Sequence, residues 1–272
     1  MKLIKSKVEI IQENDPYKMI EIAGRTCYKS EENTTEDSAK EFVNRMIKSG
    51  HGGMLEHGTV YLTFFQNASR DIDINCTKIS RYLSEDYFEN KFSKINYKST
   101  VEGIYYYVTT NLRVLVENGW LEDLKYQCEH TEYHEKRVTV RFTCDRGVSH
   151  EFVRHRVFSF AQESQRYCNY SKDKYNSEIT IVKPHWWTKE DDINATLYLN
   201  VWRAAEYSYN TLIENGIKPQ DARSVLPNAT KTELVMTGFE SDWEGFFKLR
   251  CSKAAHPDAK KLADELYKLI HK

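Results

Sequence analysis

A cationic motif followed by a serine carries the chemistry that is most readily inferred from this sequence. Arg154, His155 and Arg156 are consecutive. Ser164 comes after seven further residues, and Arg166 lies two positions beyond it. Guanidinium groups bind phosphates and carboxylates through pairs of parallel hydrogen bonds, and a neighbouring hydroxyl adds a further donor. The spacing therefore predicts a site for an anionic ligand.

The backbone around the motif decides which ligands its side chains reach. If residues 148–156 form a helix, Arg154 and Arg156 point about 160° apart and cannot grip the same small anion. Either the helix ends before them, or the two arginines contact different, neighbouring ligands. Glu151 lies one helical turn earlier and is placed to orient Arg154 or His155.

Ser164 and Arg166 share one face if their backbone is extended, and a hydroxyl beside a guanidinium suits a phosphate or a polar ring edge. The alternative interpretation of the whole cluster is a solvated basic patch. The interleaved aromatic residues Phe152, Phe158 and Phe160 indicate at least partial burial, and a buried guanidinium needs an anionic partner. We therefore favour a ligand site.

Two later arginines have a similar setting. Trp243, Phe247 and Arg250 stand at positions i, i+4 and i+7 of a predicted helix, so the guanidinium is centred on an apolar stripe. Its counter-charge belongs either to an internal salt bridge or to a ligand. Arg223 lies in a short apolar turn that ends at Pro227, and the same two alternatives apply to it.

Composition limits the classes of function. The chain has 272 residues, 40% of them hydrophobic and 13% aromatic, which suits one α/β domain with a substantial core. A net charge of −1 provides no global field for nucleic acid. No run approaches the roughly 18 apolar residues of a membrane span, and residues 1–7 do not resemble a secretion signal. We expect a cytoplasmic protein that binds neither nucleic acid nor a membrane.

The six cysteines do not suggest thiol or metal chemistry. They contain no Cys-x-x-Cys pair, which argues against a structural zinc site, and free thiols are expected in a reducing cytosol. Cys168 lies near the motif, but no sequence feature supports it as a nucleophile. A metalloenzyme built on His130, Glu132 and His134 is also disfavoured, because the glutamate is misplaced for the zinc-protease pattern.

Periodicity predicts strands alternating with helices. The predicted strands are residues 2–12, 60–65, 137–143, 179–182 and 231–237. The predicted helices are residues 36–49, a stretch carrying Ile104, Val108, Leu112 and Leu115, a helix from about Val148, residues 188–215, a helix opened by a capping box at 241–244, and a last helix from Pro257. The charged, tyrosine-rich segment 71–135 is interpreted as an elaboration of a single domain.

Taken together, four segments resemble the flavin-dependent thymidylate synthases. That family is marked by Arg-His-Arg, seven residues and Ser, which is the pattern at 154–164. Residues 50–57, with Gly50-His51 and Leu55-Glu56-His57, are similar to the family's amino-terminal signature. Residues 222–227 are similar to a nucleotide-contacting segment, and residues 246–250 to the segment that supplies another active-site arginine. The four matches occur in the family's order.

The resemblance implies an enzyme that makes dTMP from dUMP. Methylenetetrahydrofolate would supply the one-carbon unit and reduced FAD the hydride, with NADPH reducing the flavin and without an enzyme nucleophile. It also implies an α/β fold of the α+β type, with a central, mostly antiparallel sheet flanked by helices, in a single domain over residues 1–272. Members are homotetramers whose active sites are shared between subunits.

The resemblance also assigns roles to individual residues. The positions that match nucleotide contacts are Glu151, Arg154, Gln162, Ser164, Arg166, Arg223 and Arg250. The positions that match flavin-side contacts are His51, Glu56, Arg154, His155 and Arg156. Arg250 is the catalytic candidate, because a cation beside the uracil ring stabilises charge as the methylene group is attacked. Ser164 is a substrate-binding hydroxyl, since no adjacent base is evident to activate it. His51 could equally be a structural histidine.

The chain departs from the family where some members contact the flavin with asparagine, arginine or histidine. Those positions are here Phe239, Ser241, Gly245 and Ala254, so the grip on the flavin from this side differs or is weaker. Two other functions remain open. An enzyme on the same scaffold that modifies dUMP differently is not separated by the sequence. A non-enzymatic protein that binds nucleotides or RNA is disfavoured by the near-neutral charge.

Overall fold

A computed structural model describes residues 1–67, 86–172, 175, 177–189 and 193–272. Cys76 and the first part of the segment 71–135 lie outside the described residues. The described strands are β1 (Lys2–Ile4), β2 (Lys7–Ile11), β3 (Thr59–Asn67), β4 (Lys94–Ser99), β5 (Gly103–Asn111), β6 (Arg137–Asp145), β7 (Ser159–Gln162), β8 (Thr180–Val182) and β9 (Lys231–Phe239). The described α-helices are α1 (Pro16–Tyr28), α2 (Ser38–Lys48), α3 (Gly52–Leu55), α4 (Asp86–Glu89), α5 (Leu112–Glu117), α6 (Arg146–Phe152), α7 (Ile193–Glu214), α8 (Pro219–Ala222), α9 (Glu240–Arg250) and α10 (Pro257–Ile270).

The described strands form three sheets. The largest has the order β2-β6-β9-β7 and is antiparallel throughout. A second antiparallel sheet has the order β3-β5-β4, and β1 pairs with β8 in parallel. The expectation of antiparallel sheets flanked by helices is confirmed, but the strands are divided among three sheets instead of one. The predicted strand 2–12 is likewise two strands, because β1 pairs with β8 whereas β2 pairs with β6.

The four-stranded sheet carries the main core. The side chains of Phe142, Phe152, Trp243, Phe246 and Leu262 are fully buried together, which packs α6, α9 and α10 against β6. Elsewhere, Ala23 of α1 packs with Ala161 of β7 and Val235 of β9. This sheet and its helices therefore fix the positions of the motif at 154–166, which lies between α6 and β7 and continues beyond β7.

The prediction of a helix through Ile104 and Leu115 is wrong. Residues 103–111 form β5, paired on both sides, and only the short helix α5 follows. A spacing of four residues satisfies a strand's period of two as well as a helix's period of 3.6, and the tyrosines and valine of β5 favour a strand. Asn111 caps α5 by accepting a hydrogen bond from the backbone of Val114 at 3.2 Å.

Most other predicted elements are present with shifted ends. The helix predicted at 188–215 is observed as α7, with residues 190–192 outside the described part. The capping box predicted at 241–244 is wrong by two residues, because α9 begins at Glu240 and Asp242 accepts from the backbone N–H of Phe239 at 3.3 Å. The hydroxyl of Ser241 instead binds Glu135. Helix α1 was not predicted, although Asp15 caps it and Pro16 opens it.

Whether the segment 71–135 is an elaboration of a single domain stays a prediction. Its described part supplies β4 and β5, which pair with β3. None of the described helices combines the length and the apolar character needed to cross a bilayer.

Candidate functional site

The arginine motif lies in a turn and not in a helix. Asp145 caps α6 by accepting a hydrogen bond from the backbone of Val148 at 2.8 Å, and α6 ends at Phe152. Of the two alternatives from the sequence, the structure therefore supports an early end of the helix. Arg154 and Arg156 are both exposed in this single chain, whereas Phe152 is fully buried. Burial of the neighbouring aromatic side chains therefore does not remove these two guanidinium groups from solvent.

Arg250 is the centre of a first group of site residues. It is buried at the end of α9 on the same face as Trp243 and Phe247, which confirms the predicted stripe. Its Nη1 forms an ion pair with the carboxylate of Glu151, and Nη2 donates to the backbone oxygen of the same residue. Its Nε donates to Nε2 of His155 at 3.0 Å. The interpretation of an internal salt bridge is thus confirmed for this chain.

One expectation about this group is wrong. Glu151 does not orient Arg154 or His155 but pairs with Arg250, because the end of α6 brings its carboxylate against α9. His155 is the second side chain that contacts Arg250. Burial, followed by the charge of Arg250, lowers its pKa to about 4, so its ring is neutral near pH 7 and accepts through Nε2.

The end of β7 holds a second group of site residues. The amide of Gln162 donates to Ser149 Oγ at 2.8 Å and to Thr232 Oγ1 at 3.2 Å. The expectation that Ser164 and Arg166 share a face of extended backbone is wrong. The chain turns here, because the hydroxyl of Ser164 accepts from the backbone of Arg166 at 3.3 Å and its carbonyl accepts from that of Cys168 at 2.9 Å. Arg166 is exposed beside the ring of Tyr167.

A buried ion-pair network, which sequence reasoning missed, supports this turn. Lys231 pairs with Glu163 at 2.7 Å and with Glu233 at 2.6 Å, and Glu233 pairs with Lys29 at 2.7 Å. Burial by itself raises the pKa of Glu233, but Lys231 and Lys29 outweigh it and lower the pKa to about 2. The alternating charges of Lys231 and Glu233 on one strand face were a signal for such a network.

Arg223 lies near a second arginine that sequence reasoning also missed. Arg146, at the start of α6, is partly buried, and burial and then the charge of Arg223 lower its pKa, against the effects of Tyr170 and Glu163. Two guanidinium groups so placed repel each other unless an anion lies near them. Ser149 connects this pair to the second group, since it donates to the backbone oxygen of Arg146 and accepts from Gln162.

His51 lines a cavity of about 490 Å³ at the carboxyl end of α1. Tyr28, Phe42 and Arg45 also line it. The rings of Tyr28 and Tyr167 lie 5.3 Å apart, and the backbone oxygen of Cys27 accepts from Ser164 at 2.9 Å. The structure therefore brings the His51 cavity beside the turn of Ser164 and Arg166.

Glu56 does not line the His51 cavity in this chain. Its carboxylate pairs with Arg113, and its backbone oxygen accepts from Arg137 at 3.0 Å. The neighbouring His57 is fully buried, and its Nδ1 is hydrogen-bonded to Thr237 Oγ1 at 2.8 Å. Burial, followed by the charge of Arg137, lowers the pKa of His57 to about 3.

Several of the predicted arginines have no ion-pair partner among the described residues. Within the described ranges, the guanidinium groups of Arg154, Arg156, Arg166 and Arg223 form no ion pair. The sequence and fold thus leave four cations available on the segments that carry the motif. They lie at two places: near Arg250 after α6, and around the end of β7 and the turn after α8.

The environments of three cysteines and of His134 indicate structural roles. Cys168 is buried in a core with Tyr170 and Trp202, and burial raises the pKa of Cys27 and of Cys251 to about 11. His134 is buried and hydrogen-bonded to the backbone oxygen of Leu62 at 3.1 Å. In the part of the chain that the structure describes, no three His, Cys, Asp or Glu side chains are grouped to hold a metal ion.

Several known proteins are similar to this chain. Curated relatives named flavin-dependent thymidylate synthase include those of Geobacter sulfurreducens, 31% identical over 46% of this chain and 52% of the relative, and of Synechocystis, 30% identical over 50% and 66%. The matches thus span about half to two thirds of each relative. Among solved structures, the UMP/dUMP methylase PolB of Streptomyces cacaoi aligns with 14% identity and a TM-score of 0.45, covering 99% of this chain and 92% of that one.

The family described as thymidylate synthase complementing protein matches residues 9–99 and 91–272. These ranges include the His51 segment, the Arg-His-Arg motif and the helix that carries Arg250. Because the match extends over nearly the whole sequence, the chain belongs to the thymidylate synthase complementing protein family.

Proposed function

We propose that this chain is the subunit of a flavin-dependent thymidylate synthase that converts dUMP to dTMP. In this reaction methylenetetrahydrofolate donates the one-carbon unit, and reduced FAD, regenerated by NADPH, donates the hydride. The observation that carries the proposal is the set of four unpaired guanidinium groups on the family's own motif segments, Arg154, Arg156, Arg166 and Arg223. The dianionic phosphate of a nucleotide is a ligand that such guanidinium groups suit.

The phosphate of the nucleotide belongs near Arg223 and Arg146. Their mutual repulsion in partly buried surroundings would be relieved by an anion between them or beside them. Gln162 and Ser164, at the end of β7, supply the amide and hydroxyl that would fix the sugar or phosphate. Arg166 adds a bidentate donor from the adjoining turn. In this role Ser164 binds and does not attack, since no basic side chain in the described part of the chain is hydrogen-bonded to its hydroxyl.

Arg250 is the residue that would act on the pyrimidine ring. Glu151 and His155 hold its guanidinium in one orientation, so little reorganisation is needed when charge develops nearby. His155 is neutral near pH 7 and so adds no second positive charge at that point. A fixed cation beside the uracil ring favours its anionic form and stabilises charge during attack on the methylene carbon.

The residues around His51 fit a flavin. The cavity of about 490 Å³ lies within the range of roughly 300–1,000 Å³ that small-molecule sites occupy. Tyr28 offers flat apolar contact, and Arg45, exposed at the same cavity, offers a charge for a pyrophosphate. When bound, the flavin supplies the hydride of the reaction. His51, Glu56, Arg154, His155 and Arg156 remain the flavin-side residues of this proposal.

The proposal includes a cytoplasmic homotetramer whose active sites are shared between subunits. The group around Arg250 lies where α6 meets α9, whereas the His51 cavity adjoins the turn after β7. Arg154 and Arg156 are exposed in the single chain although the chemistry calls for desolvated guanidinium groups. A neighbouring subunit that covers them would account for both observations.

The test is a single turnover in the absence of oxygen. The purified, flavin-loaded protein is reduced and mixed with dUMP and isotopically labelled methylenetetrahydrofolate, and the nucleotide product is identified by mass spectrometry. We expect dTMP that carries the label, and no dTMP when folate is omitted. A folded, flavin-loaded protein that leaves dUMP unchanged would refute the proposal, and a labelled product other than dTMP would favour the alternative enzyme.

A further inference from the structure

A second and larger cavity, of about 700 Å³, lies where the end of β2, the start of β3 and the end of α10 meet. Its volume also falls within the range of roughly 300–1,000 Å³ for small-molecule sites. Ile10, Met19 and Leu269 form an apolar wall, and Tyr61 and His130, whose rings lie 5.1 Å apart in an edge-to-face arrangement, add aromatic surface. None of the predicted nucleotide or flavin residues is among the described residues that line it.

Arg137 gives this cavity its charge. Nη1 of its guanidinium donates to the backbone oxygen of Glu56 at 3.0 Å and to Thr59 Oγ1 at 3.2 Å. Its Nε is buried and has no hydrogen-bond partner in the described part of the chain. No described carboxylate lies within 4.0 Å of the guanidinium to form an ion pair. Burial lowers the pKa of Arg137 to about 10, against the effects of Tyr61, Glu56 and Asp242.

A guanidinium held in this way is costly for the fold. Removing a charge from water without an ion-pair partner costs several kcal/mol, of which hydrogen bonds to neutral oxygens offset only a part. The other charged residues of the cavity are Lys136, Glu13 and Glu240. The carboxylate of Glu13 accepts from the backbone of Asp15 at 2.8 Å, and Glu240 is exposed. Neither compensates the guanidinium directly.

We propose that this cavity binds a small organic anion, in which a carboxylate or phosphate is attached to an aromatic or apolar body. The anionic group would lie toward Arg137, where it supplies the missing counter-charge, and the body would pack on Tyr61, Met19 and Leu269. His130 comes from the segment 71–135, so that segment contributes to the site. The proposal does not depend on the thymidylate synthase reaction, because the two sites share no lining residue.

The test uses benzoate as the probe, with benzamide as a neutral ligand of nearly the same shape and inorganic phosphate as an anion without a ring. Binding to the full chain is measured by isothermal titration calorimetry in the presence of saturating dUMP, which occupies the other anion site. We expect saturable binding of benzoate, and affinities at least about tenfold lower for benzamide and for phosphate, since each lacks one of the two interactions. Equal binding of benzamide would overturn the proposal.

Two variants complete the test. Arg137→Gln removes the charge, and Leu269→Trp fills the cavity but keeps the guanidinium. We expect each to weaken benzoate binding by about tenfold or more while dUMP binding is unchanged. If Arg137→Gln does not fold, Leu269→Trp decides the question by itself. Benzoate binding of unaltered affinity in a folded Leu269→Trp protein would show that the cavity is not the site.

Discussion

The buried ion pair beneath the turn of Ser164 and Arg166 allows the sharpest prediction. Lys231 pairs with Glu163, whose side chain is only 1% exposed, and the carboxylate directly precedes Ser164 in sequence. The change Lys231→Met removes the cation but keeps a side chain of similar length. It leaves Glu163 as a buried carboxylate with a hydrogen bond of 3.4 Å from Tyr170 and the attraction of the Lys29 charge. Breaking a buried pair in this way costs about 3–5 kcal/mol of unfolding free energy.

A matched control is available on the same sheet. Lys7 pairs with Glu9, but its side chain is 66% exposed and that of Glu9 is 36% exposed. The variant Lys7→Met should cost no more than about 1 kcal/mol, since exposed pairs are screened by water. The double variant Lys231→Met with Glu163→Gln removes the buried charge itself, so it should recover most of the loss caused by Lys231→Met alone.

The assay is urea unfolding at pH 7.5, followed by circular dichroism at one protein concentration. If Lys231→Met costs as little as Lys7→Met, the buried network does not stabilise the fold. If the double variant is no more stable than Lys231→Met, the loss does not come from an uncompensated Glu163. In the variants that fold, the affinity for dUMP is measured by calorimetry. We expect Lys231→Met to weaken dUMP binding, because the turn that carries Ser164 and Arg166 is less well fixed.

Three further predictions concern the site and its surroundings. Arg166→Lys should weaken dUMP binding by about tenfold, because a point charge cannot replace a bidentate fork, and calorimetry that finds unchanged affinity would contradict this. Arg250→Ala should lower the single-turnover rate of dTMP formation by about a hundredfold or more, and normal turnover would remove Arg250 from its proposed role. The protein should lose stability as the pH falls below about 6.5. His57, whose folded pKa is lowered to about 3, stays neutral in the fold while the unfolded chain takes up a proton. Between pH 7.5 and pH 5 this amounts to about 2 kcal/mol of unfolding free energy. His57→Asn should be less stable at pH 7.5 but lose less on acidification, and an equal loss in urea titrations of both proteins would assign the effect to other groups.

The sequence was sufficient for features that depend on local pattern. Strict alternation predicted a strand at 137–143, which is observed as β6 (Arg137–Asp145), and the apolar stripe of Trp243 and Phe247 correctly put Arg250 on a buried face. Sequence reasoning failed where a residue spacing fits both a helix and a strand, as at β5. It also failed where two interacting residues are far apart in the sequence. Glu151 and Arg250 are 99 residues apart, so local spacing suggested Arg154 or His155 as partners of Glu151 instead.

The missed residues share one property: their importance depends on what lies across the fold. Lys29 and Glu233 belong to α1's end and to β9, and Arg146 gains significance from Arg223, which follows α8. None of these residues stands in a motif. Charged residues on a strand that is otherwise apolar, as in β9, are the signal that would have directed attention to them.

The position of Phe239 bears on how a flavin could be held. Some members of the family contact the flavin at this point, but Phe239 is buried here, and Arg137 stands directly opposite it in the pairing of β6 with β9. The guanidinium of Arg137 lies 5.5 Å from the centre of its ring, and Lys94 lies 5.2 Å from it. Because the ring of Phe239 is already packed in the fold, the flavin contacts that we propose are those of the His51 cavity and the Arg-His-Arg turn. Substitutions at His51 or Arg156 should therefore affect flavin binding more than a substitution at Ser241, whose hydroxyl is bound to Glu135.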